Sequence, residues 1–442
     1  MQAVILAGGK GTRLASRLNG RPKPLIEVGG QPLLGRQLDT LGRQGIDDVV
    51  VLVNHEAGQI AAFLAARRNG RAVRLIDDGE PRGTAGAALA CLAELDDRFA
   101  VIYGDTLFDV DVQAIVADHV SHAAAVTVLL HPNDHPADSD LVEIDEDGWV
   151  TAFHPYPRSP GTEFRNLVNA ALYICEKAAL KPYVDANPPL DFAKDLFPEM
   201  LLNGARIRGY LSFEYIKDLG TPKRLDKVEH HLETGVVARA HRETPQKVVF
   251  VDRDGTLNQI RGYVRTPDDL EMIAGSAEAI RKLNENEFRV FVVTNQPVLA
   301  RGECDLLTMA RIHARLESCV GQAGGYLDGI KLCPHHPTAG FAGEVVGLKV
   351  PCDCRKPGVG MFESVGAALK IDLPRSWMVG DSTADILAGI RYGLRTVLVR
   401  TGEGGRDGKW QAKPEFEVAD FAEAVQLITS LDSDHTKSEG AS

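Results

Sequence analysis

Two aspartates, Asp252 and Asp254, stand directly behind the apolar run Val248–Val251. A short, β-branched apolar run that ends in carboxylates is typical of a buried parallel strand, which would deliver them to the sheet edge where ligands bind. A carboxylate at that edge can attack a phosphorus atom and form an aspartyl-phosphate, and a second one two residues on can protonate the leaving oxygen. Because two buried carboxylates are costly without a cation, the pattern also predicts a divalent metal.

The elements behind this pair carry the other groups that phosphoryl chemistry needs. A second apolar run ends in Thr294 and Asn295, whose hydroxyl and amide suit the binding of a phosphoryl group. Lys356 supplies a cation, and a later apolar run ends in Asp381, with Asp385 on the next helical turn. We therefore expect these strand ends to meet around one phosphate.

This order of strand-end groups resembles the four motifs of the haloacid-dehalogenase phosphohydrolase superfamily, over most of the second half of the chain. The resemblance implies that Asp252 is the nucleophile and that Asp254 is the general acid and base. It also implies that Mg²⁺ is bound by Asp252, the main-chain carbonyl of Asp254, and Asp381. Lys356 and Thr294 would then hold the phosphate.

A cluster of metal-ligating residue types lies inside the same half. Cys333, Cys352 and Cys354 offer three thiols and His335 offers an imidazole, with His336 the less favoured imidazole. Three Cys and one His form a closed tetrahedral Zn²⁺ set, which is usually structural. The alternatives are reduced cysteines beside a turn and a disulfide. The disulfide is disfavoured because the other four cysteines are scattered and no signal peptide precedes the first strand, so we predict a structural zinc.

Further segments narrow the resemblance. The Asp-Arg-Asp-Gly-Thr-x-Asn motif, Gly262-Tyr263-Val264, the Cys/His loop and the Cys-Asp-Cys-Arg-Lys-Pro run look like the D-glycero-D-manno-heptose 1,7-bisphosphate 7-phosphatase group. Its nearest relatives include histidinol-phosphate phosphatases. The resemblance implies that Arg355 recognises a second phosphate. This chain has Pro297-Val298 where members commonly read Ser-Gly, which leaves the anomer or the substrate size open, but not the reaction type.

The N-terminal strand leads into a loop rich in glycine and positive charge. Glycines let backbone N–H groups approach a phosphate closely, and an arginine can clamp phosphate oxygens in a planar fork. Lys10 and Arg13 add charge, and prolines on both sides of Lys23 restrict its backbone. The residues expected to bind phosphate groups are Gly8, Gly9, Gly11, Thr12, Arg13 and Lys23.

Leu-Ala-Gly-Gly-x-Gly-Thr-Arg followed by Pro-Lys-Pro resembles the signature of sugar-1-phosphate nucleotidyltransferases, and the similarity covers about the first half of the chain. The resemblance implies that Asp105 and Asp218, each at the end of an expected strand, hold Mg²⁺. It further implies that the Gly83 loop contacts the base, that Asn169 contacts the sugar and that Lys194 contacts phosphate. Since two anions must meet there, catalysis is positioning and charge neutralisation, to which Arg13 and Lys23 contribute.

Together, the two resemblances imply a bifunctional enzyme of GDP-heptose formation. The segment Tyr103–Asp111 is also similar to D-glycero-α-D-manno-heptose 1-phosphate guanylyltransferases. The phosphatase would remove the 7-phosphate of a heptose 1,7-bisphosphate, and the transferase would activate the heptose 1-phosphate with an NTP; GTP rests on resemblance alone. Two alternatives stay open. One joins another sugar-1-phosphate nucleotidyltransferase to a histidinol-phosphate-type phosphatase, and the other makes one half a non-catalytic regulator.

Composition limits the classes of partner. A chain of 442 residues with 44% hydrophobic residues predicts two or three globular domains. The net charge of −12 argues against nucleic acid or an anionic membrane as partner. No apolar run approaches the ~20 residues that a bilayer requires. We expect a cytoplasmic enzyme with small anionic substrates, and the oligomeric state stays open.

Alternating strand and helix patterns in both halves predict an α/β fold with parallel sheets covered by helices. The resemblances imply two Rossmann-like domains, an N-terminal GT-A-like nucleotidyltransferase domain and a C-terminal haloacid-dehalogenase-like domain. We expect the first domain at residues 1–236, including a helix over 223–233, and a polar linker at 237–246. The second domain is expected at 247–430, followed by a disordered tail at 431–442.

Overall fold

The N-terminal half is built around a nine-stranded mixed sheet. The computed structural model describes residues 1–9, 11–54, 57–67, 72–159 and 161–439, with side chains through 434. The strands of this half are β1 (Gln2–Leu6), β2 (Glu27–Val28), β3 (Gln31–Pro32), β4 (Asp48–Val53), β5 (Ala72–Asp77), β6 (Arg98–Tyr103), β7 (Thr106–Asp109), β8 (Val126–His131), β9 (Leu141–Ile144), β10 (Val150–His154), β11 (Val168–Glu176), β12 (Ile207–Leu211) and β13 (Tyr215–Asp218). Its helices are α1 (Ala15–Leu18), α2 (Leu33–Arg43), α3 (Ala57–Ala66), α4 (Gly83–Ala90), α5 (Val112–Ser121), α6 (Lys177–Leu180), α7 (Phe197–Leu202), α8 (Pro222–Glu233) and α9 (Val236–Arg239).

The strand order of this sheet is β10-β9-β11-β6-β1-β4-β5, and β8 connects β11 to β12. Strand β1 is parallel to β4 and β6, whereas β11 is antiparallel to β6 and β8. Successive side chains of a strand point to opposite faces, so Val4 packs into one core with Val101 and Ile5 packs into another with Ile102. The central parallel strands are therefore buried on both faces, as their unbroken apolar runs require.

The C-terminal half contains a six-stranded, wholly parallel sheet in the order β16-β15-β14-β17-β18-β19. Its strands are β14 (Val248–Val251), β15 (Arg289–Asn295), β16 (Gly329–Cys333), β17 (Trp377–Gly380), β18 (Arg395–Val399) and β19 (Phe416–Val418). Its helices are α10 (Ser276–Glu285), α11 (Pro297–Ala300), α12 (Leu306–Gln322), α13 (Gly360–Gly366), α14 (Thr383–Tyr392) and α15 (Phe421–Glu439). The expected α/β class with parallel strands is confirmed in both halves.

The chain divides into two units, and the division differs from the expected domains. The first unit comprises Met1–His131, Ser139–Arg158 and Leu167–Arg242, and the second comprises Pro132–Asp138, Ser159–Asn166 and Glu243–Ser442. Two short segments from the N-terminal half thus belong to the second unit. There Arg165 Nε donates to Glu317 Oε2 at 2.8 Å. Sequence patterns could not show this, because the partners are far apart in the chain.

The linker and the tail also differ from expectation. Helix α9 occupies the start of the expected linker, because Val236 and Val237 pack against an apolar cluster that includes Leu225. The tail at 431–442 was expected to be disordered, but α15 continues to Glu439. Asp432 accepts hydrogen bonds from Lys247, at 2.7 Å, and from Arg375, which anchors this end of the helix. Among the residues described, no helix has the length and apolar content needed to cross a membrane.

Candidate active sites and metal cluster

Three carboxylates and one lysine meet at the carboxyl edge of the six-stranded sheet. Asp252 follows β14 and Asp381 follows β17, and the parallel pairing of these strands brings both to one edge. Asp385 lies in the first turn of α14. Ligand oxygens of these three residues lie within 4.8 Å of one another. Lys356 Nζ lies 2.7 Å from Asp252 Oδ1 and 2.6 Å from Asp385 Oδ1.

This cluster holds more negative than positive charge in a buried place. Burial raises the pKa of Asp252 to about 7 against the opposing charge of Lys356. Burial, together with the charges of Asp252 and Asp385, raises the pKa of Asp381 to about 8. Burial works against the charged form of Lys356, but the two neighbouring carboxylates raise its pKa overall. A divalent cation would supply the missing positive charge, and carboxylate oxygens are suitable ligands for Mg²⁺.

Asp381 is held in one orientation by a glycine-rich loop. The amide of Glu403 donates to Asp381 Oδ2 at 2.7 Å. A Cβ atom added to Gly402 would lie 2.1 Å from the same oxygen, and one added to Gly255 would lie 2.3 Å from it. Both glycines also have positive φ, 57° and 87°, a region that other residues rarely adopt. The Gly402 loop and the turn at Gly255 can therefore approach the carboxylate this closely only with glycine at these positions.

The Asp254 side chain accepts hydrogen bonds from three neighbours. Arg253 Nη2 lies 2.8 Å from Oδ2, Asn258 Nδ2 lies 3.0 Å from Oδ1, and Gln296 Nε2 lies 2.8 Å from Oδ2. Gln296 Nε2 also donates to Thr294 Oγ1 at 2.8 Å. Burial alone would raise the pKa of Asp254, but the Arg253 charge and these hydrogen bonds lower it overall.

Residues at the end of β15 hold Lys356 in place. Asn295 Nδ2 donates to the Lys356 carbonyl at 3.1 Å, and the Lys356 amide donates to Asn295 Oδ1 at 3.0 Å. Lys356 Nζ also donates to the Val293 carbonyl at 2.6 Å. These contacts direct the ammonium group towards the carboxylates. The neighbouring Arg355 has a different partner, because its Nη1 donates to the His335 carbonyl at 3.1 Å.

The predicted zinc ligands also come together. Cys333 ends β16, and its Sγ lies 3.5 Å from Cys352 Sγ and 3.2 Å from Cys354 Sγ. His335 Nδ1 lies 3.3 Å from Cys354 Sγ, whereas His336 Nδ1 faces the Thr338 carbonyl. All seven cysteines of the chain, each within the described part, are free thiols.

Burial raises the pKa of the Cys333 and Cys354 thiols, and thiolates here require a nearby cation. A bound metal ion would supply that charge. The donor set of three sulfurs and one imidazole nitrogen therefore fits Zn²⁺.

The two predicted Mg²⁺ ligands of the N-terminal unit, Asp105 and Asp218, lie at neighbouring strand ends. The Leu219 amide donates to the Asp105 carbonyl at 2.8 Å, and β13, which ends in Asp218, pairs with β7. Lys23 Nζ lies 2.5 Å from Asp105 Oδ2, and Arg224 Nη1 lies 2.8 Å from Asp218 Oδ2. The Asp105 and Asp218 side chains are 31% and 39% exposed, so this site is open to solvent.

The glycine-rich loop follows β1 and precedes a 3-10 turn over Thr12–Leu14 that contains Arg13. Gly11 has φ of +62°, and a Cβ atom there would lie 3.1 Å from Lys23 Cβ. An added Cβ at Gly8 would meet Asn54 at 3.2 Å, while Gly9 faces open space. Lys10 lies outside the described residues.

A line of hydrogen bonds joins the Gly83 loop to Asn169. Asn169 Nδ2 donates to Tyr173 Oη at 2.9 Å, and Tyr103 Oη donates to Thr84 Oγ1 at 3.1 Å. The two tyrosine hydroxyls lie 3.5 Å apart. Thr84 Oγ1 in turn donates to Asp191 Oδ2 at 2.9 Å.

Asp191 also links this network to Lys194. Its Oδ1 accepts hydrogen bonds from the amides of Ala193 and Lys194, at 2.9 and 3.2 Å, while the Lys194 side chain is exposed. Gly83 has φ of +76°, and an added Cβ would lie 2.3 Å from the Leu190 carbonyl oxygen. The segment before Asp191 is therefore packed directly on the Gly83 loop.

Comparison with known proteins also divides the chain into two parts. A family described as "Nucleotidyl transferase" matches residues 2–235, more than half of the chain, and one described as HAD-hydrolase-like matches residues 353–424. The D-glycero-beta-D-manno-heptose-1,7-bisphosphate 7-phosphatase of Pseudomonas putida is 38% identical over 161 residues, which cover 36% of this chain and 86% of that protein. The Pasteurella multocida enzyme of the same name is 40% identical over 190 residues, 42% of this chain and 100% of that protein.

The chain is a nucleotidyl transferase joined to a haloacid-dehalogenase-like phosphatase. A structure of HddC from Yersinia pseudotuberculosis complexed with GMP-PN is 25% identical, with a TM-score of 0.46. The similarity covers 52% of this chain and 99% of the HddC chain.

In the phosphatase half, the structure brings together Asp252, Lys356 and Asp381 as expected, and it adds Asp385. Sequence reasoning located Asp385 one helical turn after Asp381 without assigning it a role. Its Oδ2 accepts from the Ser382 amide at 3.0 Å as part of a helix cap, and its Oδ1 faces Lys356. An acidic residue at the third position of a helix behind a strand-end aspartate was the available signal.

In the transferase half, sequence reasoning missed the polar residues that connect the expected contacts. Tyr103 and Tyr173 are strand residues, and their hydroxyl groups are polar ends on otherwise apolar side chains. Asp191 precedes the short π-helix that contains Lys194. An aspartate directly before a helical segment is a common N-cap, and this was the signal that could have identified it.

Proposed function

We propose that the phosphatase half removes the 7-phosphate of a D-glycero-D-manno-heptose 1,7-bisphosphate and that the transferase half converts the heptose 1-phosphate into a nucleotide-activated heptose. The observation that supports this most is the identity of 38–41% to heptose bisphosphate 7-phosphatases over at least 80% of their length. The product of the first reaction has the chemistry of the substrate of the second, which gives the fusion a metabolic reason.

The phosphatase reaction is proposed to use Asp252 as the nucleophile. Its carboxylate oxygen bonds to phosphorus, the P–O bond to the sugar breaks, and the leaving oxygen takes a proton from Asp254. Water then attacks the aspartyl-phosphate and gives a proton to Asp254, which releases phosphate and restores Asp252. Lys356, 2.7 Å from Asp252, and Thr294 would hold the phosphoryl oxygens.

Two Mg²⁺ ions and one Zn²⁺ ion are part of this proposal. Mg²⁺, which supplies positive charge for the phosphoryl oxygens when bound, would be held in the phosphatase by Asp252, the Asp254 carbonyl and Asp381, with Asp385 beside them. A second Mg²⁺ would be held by Asp105 and Asp218 in the transferase. Zn²⁺ would be held by Cys333, His335, Cys352 and Cys354 and would support the loop next to Arg355. Arg355 is proposed to recognise the 1-phosphate.

The transferase reaction is proposed to be a direct displacement. An oxygen of the heptose 1-phosphate attacks the α-phosphorus of an NTP, and the bond to pyrophosphate breaks. Arg13 and Lys23 would neutralise the meeting anions, and Lys194 would contact phosphate. The remaining contacts are proposed for Gly8, Gly9, Gly11 and Thr12 with the nucleotide, Gly83 with the base and Asn169 with the sugar. GTP is the favoured donor, and a cytoplasmic location is proposed because each substrate is a soluble anion.

The test is an incubation of the purified chain with Mg²⁺ and the α or the β anomer of heptose 1,7-bisphosphate, with each NTP in turn. Phosphate, pyrophosphate and nucleotide sugar are measured together. We expect stoichiometric phosphate followed by pyrophosphate, with one anomer and GTP preferred. Histidinol phosphate is the comparison ester, and faster hydrolysis of it than of both bisphosphates would contradict the proposal.

A further inference from the structure

Arg253 is a fully buried arginine between the two catalytic aspartates, and the steps proposed above do not use it. Its side chain is 0% exposed. Nη2 lies 2.8 Å from Asp254 Oδ2 and 3.0 Å from Oδ1, and Nε lies 3.1 Å from Oδ1. Nη1 contacts the sulfur of Met309 at 3.5 Å. Burying a guanidinium group is costly, and here the cost is offset mainly by one carboxylate.

The geometry of this contact restricts Asp254 more than a single hydrogen bond would. A guanidinium edge that meets both oxygens of a carboxylate fixes its position and its plane. Asn258 donates to the Oδ1 side and Gln296 donates to the Oδ2 side. The Asp254 carboxylate therefore has little freedom to rotate.

The partners of Asp254 differ in what they allow. Arg253 can only donate hydrogen bonds, so it holds the carboxylate in place from one edge and favours its charged form, which must take up a proton before Asp254 acts as the acid. Gln296 carries both a donor and an acceptor on its amide, and it is 2% exposed. Rotation of that amide would present an acceptor to a protonated Asp254. The contacts around Asp254 thus have a rigid side, at Arg253, and a side that can adapt when the proton is transferred, at Gln296.

We propose that Arg253 is a positioning residue that holds the Asp254 carboxyl group in line for proton transfer to the leaving oxygen. The inference rests on the proposed phosphatase function, in which Asp254 is the acid. In the first step Asp252 bonds to phosphorus, the ester P–O bond breaks and the leaving oxygen takes the Asp254 proton. An alkyl leaving group depends on that proton strongly, whereas a nitrophenolate leaves without it.

The experiment compares the full-length Arg253→Met variant with the unsubstituted chain on two esters. Heptose 1,7-bisphosphate has an alkyl leaving group, and p-nitrophenyl phosphate has an aryl leaving group. We expect kcat on the bisphosphate to fall about 100-fold, the lower end of the rate acceleration that a positioned acid contributes, with KM little changed. On the aryl ester kcat should fall less than about 10-fold. Equal losses on both esters would overturn the proposal.

Asp254→Asn separates this inference from the function on which it rests. If Asp254→Asn slows both esters equally, the proposed role of Asp254 itself is wrong. If it discriminates between the esters and Arg253→Met does not, only the inference fails. The double variant should be no slower on the bisphosphate than Asp254→Asn alone, because Arg253 acts through Asp254. Additive losses would contradict that.

Arg289→Met is the matched control for the loss of a largely buried arginine. Arg289 Nη1 lies 3.2 Å from Asp328 Oδ1 in the same unit. This change should lower the melting temperature but leave the ratio of the two ester rates unchanged. Arg253→Lys keeps the charge without the planar fork, and it serves if the methionine variant does not fold. It should still lose more activity on the alkyl ester, and wild-type rates on both esters would overturn the proposal.

Discussion

The two halves of the chain use carboxylates at the ends of buried strands, but they surround them differently. In the phosphatase, the Asp252 and Asp385 side chains are 12% and 1% exposed and share one buried lysine. In the transferase, the Asp105 and Asp218 side chains are 31% and 39% exposed, and each already contacts its own cation. The same position in the fold thus gives a desolvated cluster in one half and an open, charge-balanced site in the other.

The difference follows the chemistry proposed for each half. A carboxylate that attacks phosphorus is more reactive when water is excluded, and its burial is what raises its pKa. A displacement between two soluble anions needs room for a triphosphate and a sugar phosphate, with positive charge on several sides. We therefore expect substitutions in the phosphatase to affect both stability and rate, and those in the transferase to affect mainly rate.

The largest expected effect separates the two sites completely. Asp252→Asn keeps the size of the side chain but removes the nucleophile, so phosphate release should fall by several orders of magnitude. Nucleotide-sugar synthesis from supplied heptose 1-phosphate should stay near the wild-type rate. Asp105→Ala should have the converse effect. Both products are measured for each variant by anion-exchange chromatography.

Mixing these two variants is the control, because a diffusing heptose 1-phosphate should restore the conversion of bisphosphate to nucleotide sugar. If either substitution abolished both reactions in a folded protein, the two sites would not be independent. The contrast between a buried and an open site would then apply to one coupled system and not to two independent sites.

The second effect concerns the lysine that is buried among the phosphatase carboxylates. Lys356→Met leaves Asp252 and Asp385 without their shared partner, and breaking a buried ion pair in this way costs about 3 kcal/mol of unfolding free energy. Chemical denaturation would measure it. Lys23→Met in the transferase, beside a partly exposed Asp105, should cost much less stability while still lowering the transfer rate. Equal losses of stability would contradict the contrast drawn here.

Zinc gives the third effect, which has no counterpart among the transferase residues that the structure describes. Protein purified without chelators should contain about one Zn²⁺ per chain, and Cys352→Ser should lower both the zinc content and the melting temperature, because metal binding and folding are coupled. Cys175→Ser, at a buried free cysteine of the other unit, is the control and should leave the zinc content unchanged. Finding no zinc by metal analysis would remove this assignment.

The fourth effect is a pH dependence of the metal-free protein. The folded-state pKa values of Asp252 and Asp381, about 7 and about 8, lie above the ordinary value of 3.8. A carboxyl group whose pKa is raised on folding contributes stability below its unfolded pKa, and that contribution is lost as the pH rises through the folded pKa. Without metal, the melting temperature should therefore fall between about pH 4 and pH 8.

Added Mg²⁺ should raise the melting temperature more at pH 8 than at pH 6, because at lower pH it competes with protons for these oxygens. Asp381→Asn should flatten both dependences. A Mg²⁺-induced shift that is the same across this range would show that the carboxylates are already ionised without metal.

The fold could be predicted further than the sites. The unbroken apolar runs before Asp252 and Asp105 specify buried parallel strands, and strand ends in such sheets converge, so the placement of strand-end residues followed from local pattern. The participation of Asp385 depends on which side of α14 faces the sheet, which packing decides. The assignment of residues 132–138 and 159–166 to the second unit depends on contacts such as that of Arg165, which no local pattern encodes.

The smallest expected effect tests the open site through one hydroxyl group. Thr84 Oγ1 accepts from Tyr103 and from the Phe192 amide, and it donates to Asp191. Thr84→Val therefore leaves three polar groups without that partner while keeping the shape of the side chain. The net value of such a hydrogen bond is about 1 kcal/mol, so KM for the nucleotide should rise about 5-fold, with kcat little changed. Thr84→Ser keeps the hydroxyl and should bind the nucleotide normally. Steady-state kinetics with each substrate varied would measure both variants. If KM for heptose 1-phosphate rose instead, the network would serve the sugar end through Asn169, and the open site would be organised around the acceptor more than around the base.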